Sequence, residues 1–186
     1  MILWLVLACD GIKNPNGDAS ISSLADADYI FVGENSGDSL GSQVSFAGDV
    51  DGDGLDDILM RSPDNEDSGI GFGKVYLVLG SSLGATSEID LSNADYSFVE
   101  QNYSSTPHSS LSSAGDVDGD GLDDILIGTD SESAYLILGS SLQNTSSINL
   151  SIADYTFIGE NPDDKAGRFV SSAGDVDGDG LDDILI

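Results

Sequence analysis

One thirteen-residue string, AGDVDGDGLDDIL, occurs three times in this chain, beginning at Ala47, Ala114 and Ala173. Its first aspartates, Asp49, Asp116 and Asp175, lie 67 and 59 residues apart. Recurrence at such a spacing marks a repeat architecture, in which one supersecondary unit cannot bury its own faces and must stack on copies of itself. Two further elements recur in the same order. Ala-Asp-Tyr-x-Phe stands at Ala27, Ala94 and Ala153, and YLVLGSSL from Tyr76 returns as YLILGSSL from Tyr135.

Between the turn residues, each unit carries short runs rich in Val, Ile, Leu, Tyr and Phe. In the best preserved unit they cover 43–47, 57–60, 74–79 and 96–99, which reads as four strands. No window of about 11 residues has apolar positions at helical spacing. The expected fold class is therefore all-β, with four-stranded antiparallel β-propeller blades of about 60 residues each. Even a four-bladed ring needs about 240 residues at that length. A chain of 186 residues then reads as an N-terminal piece of a longer protein, holding about two and a half blades. The strand near Tyr29 has no first strand before it and is expected to close the last blade of a complete ring.

Three segments are expected. Residues 1–8, MILWLVLA, are apolar, but eight residues of helix span about 12 Å against a bilayer core of about 30 Å. A transmembrane anchor is excluded, and the run reads as the end of an export signal. Val6-Leu7-Ala8-Cys9 resembles a lipoprotein cleavage box, with Cys9 as the lipidated residue. Residues 9–26 are polar, carry Gly11, Pro15 and Gly17, and read as a tether. Residues 27–186 form the propeller segment.

With five basic and 34 acidic residues, the net charge is −29. That excludes nucleic acid and an anionic membrane surface as partners, leaving membrane contact only through a lipid on Cys9. One cysteine and one histidine, His108 in a serine-rich stretch, exclude an internal disulfide, a zinc cluster and histidine-based triads. With no recognisable nucleophile–base pair, the chain is not expected to be an enzyme.

The acids that remain concentrate in the loops. Counting the first aspartate as one, carboxylates fall at positions one, three, five, eight and nine, with glycine at six. Alternate residues of a tight loop can point their oxygens at one centre, and glycine permits the sharp turn. The expected ligands are Asp49, Asp51, Asp53, the Leu55 carbonyl and Asp57 in the first loop. The second supplies Asp116, Asp118, Asp120, Leu122 and Asp124; the third supplies Asp175, Asp177, Asp179, Leu181 and Asp183. Asp56, Asp123 and Asp182, at position eight, are expected to face solvent. Two carboxylates about 5 Å apart repel by roughly 3 kcal/mol at an effective dielectric of 20, so four converging ones need a counter-ion. An all-oxygen, flexible, highly charged site suits Ca²⁺ better than Mg²⁺ or Zn²⁺. An EF-hand would need glutamate at position twelve, where Met60, Ile127 and Ile186 stand, and helices on either side.

The combination of Gly-x-x-Val-x-x-Ala-Gly-Asp with DVDGDGLDDIL resembles the FG-GAP repeat of integrin α-subunit propellers and of bacterial exported proteins, over residues 28–186. The resemblance implies a seven-bladed propeller with calcium in the hairpin between the first and second strands of a blade. Two departures stand out. His108 replaces the glycine found at Gly41 and Gly167, and the usual Gly-Ala-Pro after the second strand is Arg61-Ser62-Pro63 or Gly128-Thr129-Asp130. The function implied is a calcium-stabilised module for adhesion or ligand binding, exported and held at the cell surface or secreted. Its partner would be an extracellular protein or glycan, docking on residues 34–40, 100–109 and 160–167, away from the metal loops. Two alternatives remain: an accessory propeller of a larger extracellular enzyme with its catalytic domain downstream, and a purely structural surface-layer component.

Overall fold

A computed structural model of the chain describes residues 27–67, 73–84, 86–99, 110–129, 132–142, 145–161 and 163–186, together with the backbone of 4–7. Regular structure among them consists of strands and three-residue 3-10 turns. None of their helices is long and apolar enough to cross a membrane. Cys9, His108, residues 100–109 and the tether at 9–26 lie outside the described residues.

The first blade is built from β3 (Val44–Gly48), β4 (Asp57–Ser62), β5 (Lys74–Val78) and β7 (Tyr96–Val99), paired antiparallel in that order. The second repeats the meander with β8 (Ser110–Gly115), β9 (Asp124–Thr129), β10 (Ser133–Ile137) and β12 (Tyr155–Ile158). A hairpin of β13 (Ser171–Gly174) and β14 (Asp183–Leu185) begins a third. These are partial propeller blades, as the spacing of apolar runs predicts. The predicted segments agree with the observed strands to within about two residues.

Two short strands escape the sequence reading. β6 (Glu88–Asp90) lies parallel to β2 (Tyr29–Val32), and β11 (Ser147–Asn149) lies parallel to β7. The connection between third and fourth strands of each blade thus reaches back to add an edge to the sheet before it. Each contributes one central apolar residue, Ile89 or Ile148, too little for an alternation to register. A further difference concerns β2, expected to lack a preceding strand. Trp4–Leu7 (β1) runs antiparallel to it, with Leu5 opposite Phe31.

Strand residues alternate between two cores, which explains why the runs are continuously apolar. From β5, Val75 and Leu77 enter the core shared with the second blade, while Tyr76 and Val78 enter the core shared with the β1–β2–β6 sheet. Ile125 and Ile127 of β9 join the first of these, and Leu126 faces the third hairpin's side with Ala114 and Val170. Both faces of the first blade are therefore buried against neighbours. At about 1.5–3 kcal/mol per buried aliphatic side chain, the stacking supplies most of the stability.

The Ala-Asp-Tyr element closes each blade locally. Asp95 accepts from the Leu79 amide at 2.9 Å and the Ser82 hydroxyl at 2.7 Å. Asp154 repeats both contacts with Leu138 and Ser141, at 2.9 and 2.7 Å. The following aromatics pack between sheets, with Phe31 and Phe98 each 1% exposed.

Candidate metal-binding loops

Each acidic string occupies the hairpin between the first and second strands of a blade: β3–β4, β8–β9 and β13–β14. A bulge opens every hairpin on the first-strand side, between Phe46 and Gly48, Ser113 and Gly115, and Ser172 and Gly174. The glycine at that bulge is left-handed in all three, with φ of 81°, 76° and 66°. Such a bulge turns the strand sharply and aims the next residue, the first aspartate, into the loop.

The aspartates then organise the loop backbone. Asp49 Oδ1 accepts from the amides of Gly52 and Asp53 at 2.8 and 3.0 Å, and its Oδ2 accepts from Gly54 at 2.9 Å. Asp51 and Asp53 accept from the amides two residues on, at 3.1 and 2.8 Å. The second and third loops repeat this set around Asp116 and Asp175. Gly52 and Gly54 adopt φ of 76° and 88°, which side chains resist.

Position nine sits at the floor. Asp57 accepts from the Val50 amide at 2.9 Å and the Gly80 amide at 2.8 Å, tying the hairpin to the end of β5. Asp124 does the same with Val117 at 2.9 Å and Gly139 at 3.0 Å. Both residues are fully buried. Burial pushes the Asp124 carboxyl up to about 6, the negative charges of Asp118 and Asp120 adding to the rise while the two backbone amides oppose it. Asp57 is raised for the same reasons, with Asp51 and Asp53 as its neighbours.

Carboxylate oxygens converge in all three loops. Those of Asp49, Asp51 and Asp53 lie within 4.8 Å of one another, as do those of Asp116, Asp118 and Asp124, and of Asp175, Asp177 and Asp183. Positions one and three thus join every set. Position five completes it in the first loop, position nine in the second and third. Asp57, Asp120 and Asp179, also expected as ligands, fall outside these sets of three. Leu55, Leu122 and Leu181 are positioned by their amides, which donate to the position-five aspartate at 2.8 to 2.9 Å. Three converging carboxylates, one of them buried in the second loop, form an all-oxygen donor set that a hard divalent cation fits, because the cation relieves their mutual repulsion. Clusters of this composition could bind a metal.

Position eight departs from expectation. Only Asp56 is exposed as predicted. Asp123 reaches the preceding loop and accepts from the Asp49 amide at 2.8 Å, and Asp182 accepts from the Asp116 amide at 3.1 Å. A β-carbon on Gly48 or Gly115 would overlap the incoming carboxylate, but the left-handed bend already favours glycine before every loop, so the sequence carries no separate signal for the contact.

At the far end of β4, about 17 Å from the loop at 3.4 Å per residue, residues 34–40 divide into two classes. Asp38 and Leu40 are buried, and Asp38 accepts from the Asn35 amide at 3.0 Å and the Asn65 side chain at 2.8 Å. Glu34 pairs with Lys74 at 2.9 Å. Asn35, Ser36 and Gly37 remain exposed. In 160–167, Asn161, Asp163 and Asp164 are exposed.

Stacked meanders with an acidic hairpin at the same corner of each define a β-propeller-type repeat module. The model of the FG-GAP repeat family matches residues 40–78 and 109–146. A search of curated proteins returned no match. The third acidic loop lies beyond the two matched ranges, with the same thirteen residues.

Proposed function

We propose that the three loops bind Ca²⁺ and that the chain is an exported, calcium-stabilised propeller module for adhesion or ligand binding, without catalytic activity. The observation carrying this is the threefold convergence of carboxylate oxygens within 4.8 Å, on a chain whose net charge is −29. Positions one, three, five and nine supply side-chain oxygens, and the carbonyls of Leu55, Leu122 and Leu181 supply backbone ones. The ion's part is structural: it neutralises carboxylates that the folded hairpin draws together, with the position-nine residue buried beneath the first and second loops. Export, with Cys9 as lipid attachment site, follows from the VLAC sequence and from the millimolar calcium found outside cells. The partner, an extracellular protein or glycan, would meet the end opposite the metal loops, where Asn35, Ser36, Gly37 and the exposed part of 160–167 are accessible.

The test is thermal unfolding in millimolar calcium and in EDTA. With about 1 mM Ca²⁺ and a dissociation constant near 0.1 mM, each site contributes roughly 1.4 kcal/mol. Chelation is expected to lower Tm by several degrees, and superimposable melting curves would end the calcium reading.

A further inference from the structure

We infer that the acidic loops are coupled head to tail through their position-eight aspartates, so that a cation bound in one loop raises the affinity of the next. This rests on the calcium reading above and adds how the sites act together.

The geometry occurs twice. Asp49 donates its amide to Asp123 Oδ2 at 2.8 Å, and Asp123 returns its own amide to the Asp49 carbonyl at 3.0 Å. Asp116 and Asp182 make the same reciprocal pair at 3.1 and 3.1 Å. Beside each pair a leucine closes down on the earlier loop. A β-carbon on Gly52 would lie 2.9 Å from Leu122 Cδ2, and one on Gly119 would lie 3.0 Å from Leu181 Cδ2. The φ of 76° or 78° favours glycine at position four, and the leucine methyl lies close over it. Each junction thus consists of two hydrogen bonds and one apolar contact, made by residues seven and eight of the later loop on residues one and four of the earlier.

These junction residues are interleaved with the ligand positions. Asp49 offers its side chain to its own cluster and its main chain to Asp123. Asp123 lies between Leu122, whose carbonyl is a proposed ligand, and Asp124, a member of the second cluster. An ion that fixes the second loop fixes the residue that clasps the first. Charge acts in the opposite direction, since a cation in one loop weakens the negative field that draws a cation to the next. The positive coupling is therefore carried by the reciprocal clasp, which outweighs that repulsion between the ions. Sites sharing such an element are coupled reciprocally, typically by 5-fold or more in affinity.

The experiment is calorimetric titration of the metal-free chain with Ca²⁺, comparing the wild type with Asp123→Ala, Asp182→Ala and Asp56→Ala. None of the three aspartates belongs to a carboxylate cluster. Asp56 supplies the charge-matched control, being exposed and, among the described residues, undocked. The wild type is expected to bind with a Hill slope above one. Asp123→Ala should bring the slope towards one and raise the calcium midpoint about 5-fold, while Asp56→Ala keeps the slope. Asp123→Asn, which retains the acceptor, should keep it too. Independent sites in the wild type, or equal effects of Asp123→Ala and Asp56→Ala, would overturn the coupling while leaving calcium binding intact. Should Asp123→Ala not fold, the wild-type slope decides alone. Absence of any binding heat, with unchanged melting, removes the calcium reading and the coupling with it.

Discussion

The outer strands of the two four-stranded blades are almost the same in sequence, Tyr-Ser-Phe-Val at 96–99 and Tyr-Thr-Phe-Ile at 155–158. Their surroundings differ. Val99 is 4% exposed and Ile158 is 74% exposed. In the first blade, β11 lies alongside β7 and the second blade covers its face, so Phe98 shares a core with Ile125, Ile127 and Ile148. Among the described residues no strand plays that part beside β12. A strand in this architecture is as stable as its neighbour makes it, because each unit donates one face to the next.

The largest consequence lies at the paired aromatics. Phe98→Ala is expected to cost about 3–5 kcal/mol, read as a shift of the urea midpoint in calcium, because the cavity opens between two packed sheets. Phe157→Ala, at the partly buried equivalent, should cost less than half as much. Equal losses would mean that the blades are stable individually and that cover contributes little.

A second pair sharpens the same contrast in the turns. A β-carbon on Gly139 would meet the carbonyls of Asp123 and Val50, both at 2.7 Å, one from its own blade and one from the blade before. On Gly80 it would meet Leu55 Cβ at 2.7 Å and the Asp56 carbonyl at 2.8 Å, both within its own blade. Neither glycine is left-handed, so the effect is steric. Gly139→Ala is expected to destabilise by about 1–3 kcal/mol, and Gly80→Ala by less, since its hairpin can yield without moving a second sheet. Thermal unfolding of the two variants side by side measures the difference. A larger loss at Gly80 would show that the junction yields more easily than the hairpin.

Strand positions and loop chemistry were legible because they are written locally. Apolar runs such as Asp57-Ile58-Leu59-Met60 and the thirteen-residue string need only a few neighbouring residues to be read. The junctions were not legible. Asp56, Asp123 and Asp182 stand in identical strings, yet one is exposed and two clasp the loop before them. What separates them is a partner 66 or 74 residues away, which no local pattern records. β6 and β11 escaped for a related reason: a three-residue strand with one apolar side chain is defined by the sheet edge it finds, not by its own alternation. Position nine was read as a ligand, and the structure adds a second role, since the same carboxylate anchors Val50 and Gly80 or Val117 and Gly139.

The smallest expected effect tests whether the contrast between blades extends to contacts that are local in both. Asp95 and Asp154 each hold one amide at 2.9 Å and one serine hydroxyl at 2.7 Å, all within the same blade. If cover governs only packing, Asp95→Ala and Asp154→Ala should each cost about 1 kcal/mol, the net worth of such hydrogen bonds. The two losses should agree even though Asp95 is half-buried and Asp154 exposed. Chemical denaturation of both variants in calcium is the measurement. A negligible loss at Asp154 beside a clear one at Asp95 would mean that even the turn after the third strand draws its strength from the neighbouring sheet, because screening by water weakens the exposed copy.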